Sequence, residues 1–325
     1  MTHNSPLASP RATIDKLTQW GIVTQKSLGQ HLLVDDGVVG RILRLADLTQ
    51  DDTVLEVGPG IGTLTQALLL KGAHVLALEK DKRLLPLLEE LQEEYPHLFR
   101  FEHIDALDYL RQGYKPHDSQ DLLPQKLIAN LPYAVAATLV LDFFQFMPSI
   151  RTATVMVQKE VGERMAAEPG SKDYGAYSVK LQLLAKPQDR FLVSRSCFLP
   201  PPRVDSMVIR LDRLGESVSP DESVSPESIS PDELSAAFTV VEAAFAQRRK
   251  TIRNSLCSSF AQKGLDRSLA DQLLESANIP PTVRAETLPP QTFLTLGRLL
   301  GHLTPNGTPR VNPPAPDIPR PGQTE

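Results

Sequence analysis

The sequence has little cysteine and no long apolar run. Its 325 residues include two cysteines, Cys197 and Cys257, and neither lies in a CxxC pair. Two such thiols exclude a disulfide framework and a cysteine zinc site, which fits a reducing compartment. No apolar run approaches the roughly 18 residues that a membrane span requires, and the N-terminus lacks the charged-then-apolar order of a signal peptide. We therefore expect a cytoplasmic protein with no metal site and no membrane partner.

Neither sign of charge is in clear excess over most of the chain. The net charge of −5 at pH 7 argues at first against a nucleic-acid partner. However, six of the 39 acidic residues lie between positions 215 and 233, where the chain has no Lys or Arg. The remaining 33 acidic residues stand against 34 basic ones, so the rest of the chain carries a net charge of +1. A basic face elsewhere on the molecule is therefore compatible with the composition.

Composition divides the chain into five parts. Residues 215–231 repeat a short unit rich in Ser, Pro and acids that cannot bury a core, which predicts a flexible linker. Beyond it the pattern is helical, with breaks at Gly264 and at 280–281. The predicted parts are a lead-in at 1–30, an α/β domain at 31–212, an acidic linker at 213–231, a small all-α domain at 232–303 and a disordered tail at 304–325.

Short apolar strands alternate with helical segments in the first half of the chain. This alternation predicts parallel strands joined by helical crossovers, and therefore a doubly wound α/β sheet. A further run at 206–211, after a Pro-rich turn, predicts an antiparallel final strand. The predicted strands are 53–57, 74–79, 100–104, 126–130 and 152–158, with helices at 35–45, 62–70, 82–93 and 135–146.

A Gly-rich turn follows the first of these strands and predicts a cofactor site. Gly58, Gly60 and Gly62 permit positive φ angles and close approach of a ligand to the backbone. Their spacing is G-x-G-x-G instead of the G-x-G-x-x-G of dinucleotide enzymes. Glu56 precedes the turn, and its charge would repel a pyrophosphate but attract a cationic ligand. S-adenosylmethionine carries an ammonium and a sulfonium, so it suits this turn better than a nicotinamide dinucleotide does.

Acidic residues end the next two strands. Glu79 can accept hydrogen bonds from ribose hydroxyls, and Asp105 can accept one from the adenine amine of a cofactor. Taken singly, the glycines fit a structural turn and the acids fit solvated strand ends. Three strand ends at the same edge of a sheet favour a nucleoside cofactor instead.

The tetrapeptide 130–133 predicts a reaction centre for an exocyclic amine. The lone pair of such an amine is delocalised into the base, so a catalyst needs acceptors aimed at both N–H groups. The Asn130 side chain and the main-chain carbonyl of Leu131 or Pro132 are suitable acceptors, and Tyr133 offers a face for stacking. Such catalysis works by positioning and electrostatics, without a strong base. The alternative is an ordinary strand-to-helix turn.

Two further features concern the nucleic acid. Phe198 opens a Pro-rich stretch that can hold its ring against the other face of a flipped base, although a core position is the alternative. The segment 247–254 predicts the start of a helix that places Arg249 and Arg253 on one face, flanked by Arg248 and Lys250. This stripe suits phosphates, and an intradomain salt-bridged face is the alternative.

Together these residues resemble the small-subunit (16S) ribosomal RNA adenine N6,N6-dimethyltransferase family. The similarity runs from about position 26 to about position 300, interrupted by the acidic linker. The matched blocks are 28–33 (LGQHLL), 56–60 (EVGPG), 130–133 (NLPY), 198–206 and 245–251 (FAQRRKT). The last block, together with Tyr174-Gly175, is typical of the dimethyltransferases. One departure is His31-Leu32, where the family usually has Asn-Phe.

The resemblance implies a Rossmann-like methyltransferase domain, a helical RNA-binding domain and S-adenosyl-L-methionine as cofactor. It implies dimethylation at N6 of two adjacent adenines in the terminal hairpin of the rRNA, within a pre-assembled small subunit, by a protein expected to be a monomer. The cofactor contacts that it carries over fall on His31, Leu33, Gly58, Glu79, Asp105 and Asn130. Two alternatives remain: a large-subunit rRNA adenine methylase, and a non-catalytic rRNA-binding assembly factor on the same scaffold. The basic block at 248–250 argues against the first, and the intact cofactor residues argue against the second.

Overall fold

The protein is described by a computed structural model that covers residues 3–23, 30–112, 123–215, 229–264 and 266–303. The chain divides into two units. The first consists of Met1–Ala166 and Leu184–Ser225, and the second of Ala167–Leu183 and Pro226–Glu325. The predicted linker falls largely outside the described residues, and the predicted tail lies wholly outside them.

The first unit is built on a seven-stranded sheet. In sheet order the strands are β4 (Phe99–His103), β3 (His74–Glu79), β2 (Thr53–Val57), β5 (Lys126–Asn130), β6 (Thr152–Gln158), β9 (Ser206–Arg213) and β7 (Ala185–Val193). The first five are parallel, β9 runs antiparallel to β6, and β7 runs antiparallel to β9. This confirms the predicted mostly parallel sheet with an antiparallel final strand.

Strand β7 is absent from the sequence prediction. It contains Pro187 and Asp189, residues that are rare in strand interiors. It lies at the edge of the sheet, where a missing backbone donor is tolerated, and its register shifts between Pro187 and Arg190.

Helices flank this sheet in the first unit. They are α1 Pro10–Gln19, α2 Asp36–Leu45, α3 Thr63–Leu70, α4 Leu85–Glu94, α5 Ala106–Gln112, α6 Ala136–Phe146 and α7 Lys159–Met165. The principal core cluster includes Val39, Leu68, Leu88 and Phe99, which are fully buried. Burial of such side chains contributes about 1.5–3 kcal/mol each.

A small two-stranded sheet lies beside the main one. Strand β1 (Leu32–Leu33) pairs antiparallel with β8 (Phe198–Leu199), so that Leu33 stands opposite Phe198. The segment that precedes α2 is thereby tied to the Pro-rich segment that precedes β9. The Asp35 side chain then caps α2 by accepting from the Val38 N–H at 2.9 Å.

The second unit is helical. Its helices are α8 Ala176–Gln182, α9 Pro231–Phe245, α10 Ile252–Gln262, α11 Ser268–Ser276 and α12 Pro290–Leu303. Residues 167–183, predicted as part of the α/β domain, belong here. The Tyr174 hydroxyl donates to the Leu288 carbonyl at 2.8 Å, and Lys180 pairs with Glu242 at 2.7 Å. These contacts join residues that are far apart in the sequence. Local composition does not show such contacts, which is why the sequence analysis assigned residues 167–183 to the α/β domain.

Helix α10 begins later than the sequence predicts. Thr251 is its N-cap, with a side chain that accepts from the Asn254 N–H, and residues 247–250 form a turn after α9. Among the described residues, no helix has the length and apolar character needed to cross a membrane.

Candidate active site

One pocket lies at the carboxyl edge of the parallel strands in the first unit. Parallel strands end at the same edge of a sheet, which is where α/β proteins bind ligands. Eleven of the predicted site residues line this pocket, and Phe198 does not. The eleven are His31, Leu33, Glu56, Gly58, Gly60, Glu79, Asp105, Asn130, Leu131, Pro132 and Tyr133.

The glycine turn brings its backbone to the wall of the pocket. Gly58, Gly60 and Gly62 have φ angles of 69°, 62° and 87°, which side chains rarely adopt. A Cβ at Gly60 would lie 3.3 Å from Leu32, so the turn also packs closely on β1. Gly62 is the N-cap of α3, and the helix N-terminus therefore starts beside the pocket.

Glu56 is a buried acid behind the turn. It is 1% exposed, and its Oε2 atom has no hydrogen-bond partner within the described part of the chain. Burial raises the pKa of Glu56 to about 8, the Thr65 side chain opposes this shift, and the neighbouring Glu79 adds to it. An unsatisfied buried carboxyl beside a pocket is the partner that a cationic ligand group requires.

Glu79 lies at the end of β3 with both oxygens in contact with backbone. Its Oε1 accepts from the Asp81 N–H at 2.8 Å, and its Oε2 accepts from the Gly60 N–H at 3.4 Å. Burial raises the pKa of Glu79, while these two N–H donors lower it. The carboxyl is thus held against the glycine turn, as expected for an acid that binds a ribose.

Asp105 follows β4 at the rim of the pocket. Its Oδ1 accepts from the Leu107 N–H at 2.9 Å, and its Oδ2 lies 3.4 Å from the Lys80 ammonium. The side chain is 38% exposed, so it remains accessible to a ligand.

Asn130 lies at the end of β5 and contacts the opposite wall. Its Nδ2 donates to the His31 carbonyl at 3.0 Å. This bond uses the donor side of the amide and leaves Oδ1 as an acceptor. Of the two neighbouring carbonyls, that of Pro132 accepts from the Val135 N–H at 3.2 Å, whereas that of Leu131 has no donor within the described residues. Asn130 Oδ1 and the Leu131 carbonyl are therefore the two acceptors that this turn offers.

Tyr133 is held by its hydroxyl and by its ring. The hydroxyl lies 2.6 Å from Oγ of Ser206, which is fully buried. Burial raises the pKa of Tyr133. The ring stacks on His31 with 5.6 Å between centroids, and His31 Nδ1 lies 2.8 Å from the Pro200 carbonyl.

Phe198 does not face the pocket, which corrects the prediction that it stacks on the base. It is 3% exposed and belongs to the core cluster with Leu33 and Val38. The pairing of β8 with β1 directs the chain this way, because it places Phe198 opposite Leu33. The aromatic ring beside Tyr133 is His31, where the family usually has Asn.

The predicted basic stripe does not lie on a single helical face. Arg248, Arg249 and Lys250 precede α10, and Arg253 lies within it, so the spacing of four does not align Arg249 with Arg253. Arg248 bonds to the Lys172 and Tyr174 carbonyls and to Glu286, and Arg253 pairs with Asp271 at 2.5 and 2.8 Å. The other two side chains, Arg249 and Lys250, are exposed and have no ion pair within the described residues.

The sequence prediction misses several residues that line or support the pocket, and three of them form hydrogen bonds there. Gln30 and Asp81 line the pocket and hydrogen-bond to each other at 2.8 Å, and Ser206 holds Tyr133. Asp81 has a detectable signal, since an Asp between a strand and a helix is a common N-cap. No signal in the sequence around Gln30 or Ser206 indicates their roles.

Nicotinamide enzymes also place a glycine turn and a strand-end acid in such a pocket. Here, however, a buried carboxyl stands behind the turn, and two acceptors for an amine lie across from it. This donor set fits the cationic cofactor S-adenosylmethionine, which when bound supplies an electrophilic methyl group. A pocket of this kind at the edge of a mostly parallel sheet is typical of methyltransferases of the Rossmann-like α/β class.

Comparison with known proteins assigns the family. The model of the ribosomal RNA adenine dimethylase family matches residues 23–295, and the chain belongs to this family. Among curated relatives, the ribosomal RNA small subunit methyltransferase A of Geobacillus sp. (strain WCH70) is 35% identical over 300 residues, which cover 92% of this chain and 99% of that protein. That of Lactiplantibacillus plantarum is 36% identical over 299 residues, with 91% and 96% covered.

Solved structures share the fold. A dimethyladenosine transferase from Plasmodium falciparum is 22% identical, with a TM-score of 0.66 over 85% of this chain and 98% of that one. The 23S rRNA methyltransferase ErmE is 25% identical, with a TM-score of 0.59 over 82% and 98%. Both confirm the class of fold predicted from the strand–helix alternation.

Proposed function

We propose that the protein transfers methyl groups from S-adenosylmethionine to N6 of two adjacent adenines in the 3′-terminal hairpin of small-subunit (16S) rRNA, giving N6,N6-dimethyladenosines. Membership of the ribosomal RNA adenine dimethylase family and the names of the curated relatives support this substrate. The observation in the structure that carries the proposal is the Asn130–His31 hydrogen bond, which leaves Asn130 Oδ1 as an acceptor in the pocket.

The amine of the target adenine is activated by hydrogen bonding. Asn130 Oδ1 and the Leu131 carbonyl accept its N–H groups, which localises the lone pair on nitrogen and directs it into the pocket. The Tyr133 ring supports the base by stacking. No strong base is required, since the amine becomes acidic only as it forms a bond to carbon and can then release its proton to water. Effective positioning alone supplies a large part of such an acceleration.

Acidic residues on the other side of the pocket hold the cofactor. Glu79 accepts from the ribose, Asp105 accepts from the adenine amine of the cofactor, and Glu56 faces its cationic amino-acid portion. The burial of Glu56 and Glu79 strengthens these contacts, because water does not compete for the carboxyls.

The substrate is a pre-assembled small subunit, and the protein acts on it as a monomer in the cytoplasm. Arg249 and Lys250, exposed and without ion pairs within the described residues, suit rRNA phosphates. A non-catalytic assembly factor is the alternative, and the intact pocket with its open acceptors favours catalysis over it.

Methyl transfer to small ribosomal subunits that lack these methyl groups tests the proposal. Labelled S-adenosylmethionine is the donor, and mass analysis of the RNA digest identifies the product. Dimethyladenosine in the terminal hairpin, absent with Asn130→Ala, supports the proposed reaction. Tight binding of subunits without any transfer would replace it with the assembly-factor function.

A further inference from the structure

One wall of the pocket is formed by a segment that precedes the first strand of the main sheet. Residues 30–33, here called the wall segment, all line the pocket. The Asn130–His31 bond and the pairing of β1 with β8 hold its middle and its end. Its first residue, Gln30, contacts a residue that follows β3: Gln30 Nε2 donates to Asp81 Oδ2 at 2.8 Å.

Asp81 is the junction of several contacts. It is 7% exposed, and its Oδ1 accepts from the Arg83 side-chain Nε at 2.8 Å and from the Arg83 backbone N–H at 3.1 Å. The Arg83 guanidinium lowers the pKa of Asp81 to about 2, so the carboxylate remains ionised at physiological pH. Arg83 also donates to the Val23 carbonyl at 3.1 Å, upstream of the wall segment. A buried ionised acceptor of this kind fixes its donors strongly.

The same residue contacts the acid that faces the cofactor. The Asp81 N–H donates to Glu79 Oε1 at 2.8 Å, and Glu79 Oε2 accepts from Gly60. A continuous series of hydrogen bonds therefore runs from Gln30 through Asp81 and Glu79 to the glycine turn. It connects two walls of the pocket through the Asp81 side chain, the Asp81 backbone N–H and the Glu79 carboxyl.

We propose that Asp81 is a positioning residue, whose side chain orders the wall segment through Gln30 and whose backbone N–H aligns Glu79 for S-adenosylmethionine. The inference rests on the proposed function, because it assigns the pocket to this cofactor. Loss of the Gln30–Asp81 bond removes one of the contacts that order the start of the wall segment. The cofactor must then supply more of this order on binding, and it binds more weakly. Chemistry at the adenine amine, which depends on Asn130 and Leu131, is affected much less.

Asp81→Asn and Gln30→Ala test the assignment, singly and together. Asn at position 81 retains an oxygen that can accept from the Arg83 backbone N–H, but it lacks the charge and the second acceptor oxygen of Asp. We expect each variant to bind S-adenosylhomocysteine about tenfold more weakly by calorimetry, equivalent to about 1.4 kcal/mol. The effects of the two single changes should not add in the double variant, because each change removes the same Gln30–Asp81 bond. Amide exchange across 30–35 in the free protein should be faster in all three.

Asp52→Asn is the matched control. The Asp52 side chain is 14% exposed and pairs with Lys126 at 2.7 Å, but it precedes β2, at the opposite edge of the sheet. This change should lower the melting temperature without altering ligand affinity or exchange at 30–35. A purely structural role for Asp81 would give the same pattern as Asp52→Asn, and that result overturns the proposal.

The outcome does not depend on the RNA substrate. If Asp81→Asn does not fold, Gln30→Ala decides alone, because Gln30 caps no helix: unchanged affinity overturns the assignment. Both measurements use free protein and S-adenosylhomocysteine, so failure of rRNA methylation would contradict the proposed function while leaving this result intact.

Discussion

The Asn130 side-chain amide donates a 3.0 Å hydrogen bond to the main-chain carbonyl of His31, 99 residues away in the sequence. Because the bond is to main chain, it does not depend on the side chain at position 31. The acceptor side of the amide is oriented by this contact, and the His31 ring remains available to stack on Tyr133. This relationship explains how His can occupy a position where the family usually has Asn.

Replacing Asn130 with Ala should abolish turnover without unfolding the protein. The side chain is half-buried and its loss leaves no large cavity, but one of two acceptors for the amine disappears. Loss of one such transition-state contact typically costs about 100- to 1000-fold in rate. Single-turnover methylation of subunits measures the rate, with melting temperature and subunit affinity as controls. A turnover close to that of the wild type would contradict the proposed mechanism.

Cofactor affinity should rise with pH up to about pH 8. Burial raises the pKa of Glu56 to about 8 in the free protein, so the carboxyl is mostly neutral at pH 7. A cationic ligand favours the carboxylate and lowers this pKa, so binding releases a proton and weakens as pH falls below 8. Calorimetry with S-adenosylhomocysteine, in buffers of different ionisation enthalpy, measures the affinity and the number of protons released on binding.

Glu56→Gln is the control for that experiment. It keeps the shape of the side chain and leaves the titration of the ligand's own amine unchanged. The variant should show a flatter dependence of affinity on pH and release fewer protons. Equal pH profiles for the two proteins would show that Glu56 does not titrate on binding.

Tyr133 should tolerate loss of its hydroxyl better than loss of its ring. Tyr133→Phe leaves buried Ser206 without its 2.6 Å partner and should lower the free energy of unfolding by about 1 kcal/mol. The ring remains, so turnover should stay within a few-fold of wild type. Tyr133→Ala removes the stacking face, which is worth about 1–3 kcal/mol per base, and should reduce turnover about tenfold or more. Equal activity of the two variants would exclude stacking on Tyr133.

Arg249 and Lys250 should contribute more to subunit binding than Arg253 does. Changing both to Glu should weaken binding and reduce the slope of log affinity against log salt by about 2, as two phosphate contacts are lost. Arg253→Gln serves as the comparison, since Arg253 is already paired with Asp271. Filter binding of subunits over a range of salt concentrations distinguishes them. A larger loss of subunit affinity from the Arg253 change would show that Arg253 contributes to RNA binding.

Two glycines of α12 should respond oppositely to alanine. A Cβ at Gly297 would lie 2.5 Å from the backbone nitrogen of Ala237 in α9, so Gly297→Ala should cost about 1–3 kcal/mol of stability. No described atom lies within 4 Å of a Cβ at Gly301, so Gly301→Ala should stabilise the helix by up to about 1 kcal/mol. Thermal unfolding measures both, and destabilisation by Gly301→Ala would contradict the packing.

Local pattern accounts for most of the sheet. Four strands have the bounds that their apolar runs predict, namely Thr53–Val57, His74–Glu79, Lys126–Asn130 and Thr152–Gln158. These strands are parallel and buried on both faces, so nearly all of their side chains must be apolar, and the strands appear as apolar runs in the sequence. Strand β7 lies at the edge of the sheet and pairs on one side only, so it can contain Pro and charged residues. A search for apolar runs therefore does not detect it.

Part of the candidate site follows from the same logic. Gly58, Glu79 and Asn130 each end a parallel strand, and parallel strands bring their carboxyl ends to one edge. Phe198 shows the limit of this reasoning. Whether its ring enters the pocket or the core depends on the register of β8 against β1, which involves residues about 165 positions apart.

The sequence by itself determined the class of fold and the residues that end the strands, because these depend on composition and on the regular geometry of parallel strands. The family was indicated by the resemblance of its motif blocks. Only the tertiary structure decided that Phe198 is core, that α10 starts at Ile252 and that residues 167–183 belong to the helical unit. It also joined Gln30 to Asp81. These features depend on packing between distant segments, and nothing in the local pattern of either segment specifies its partner.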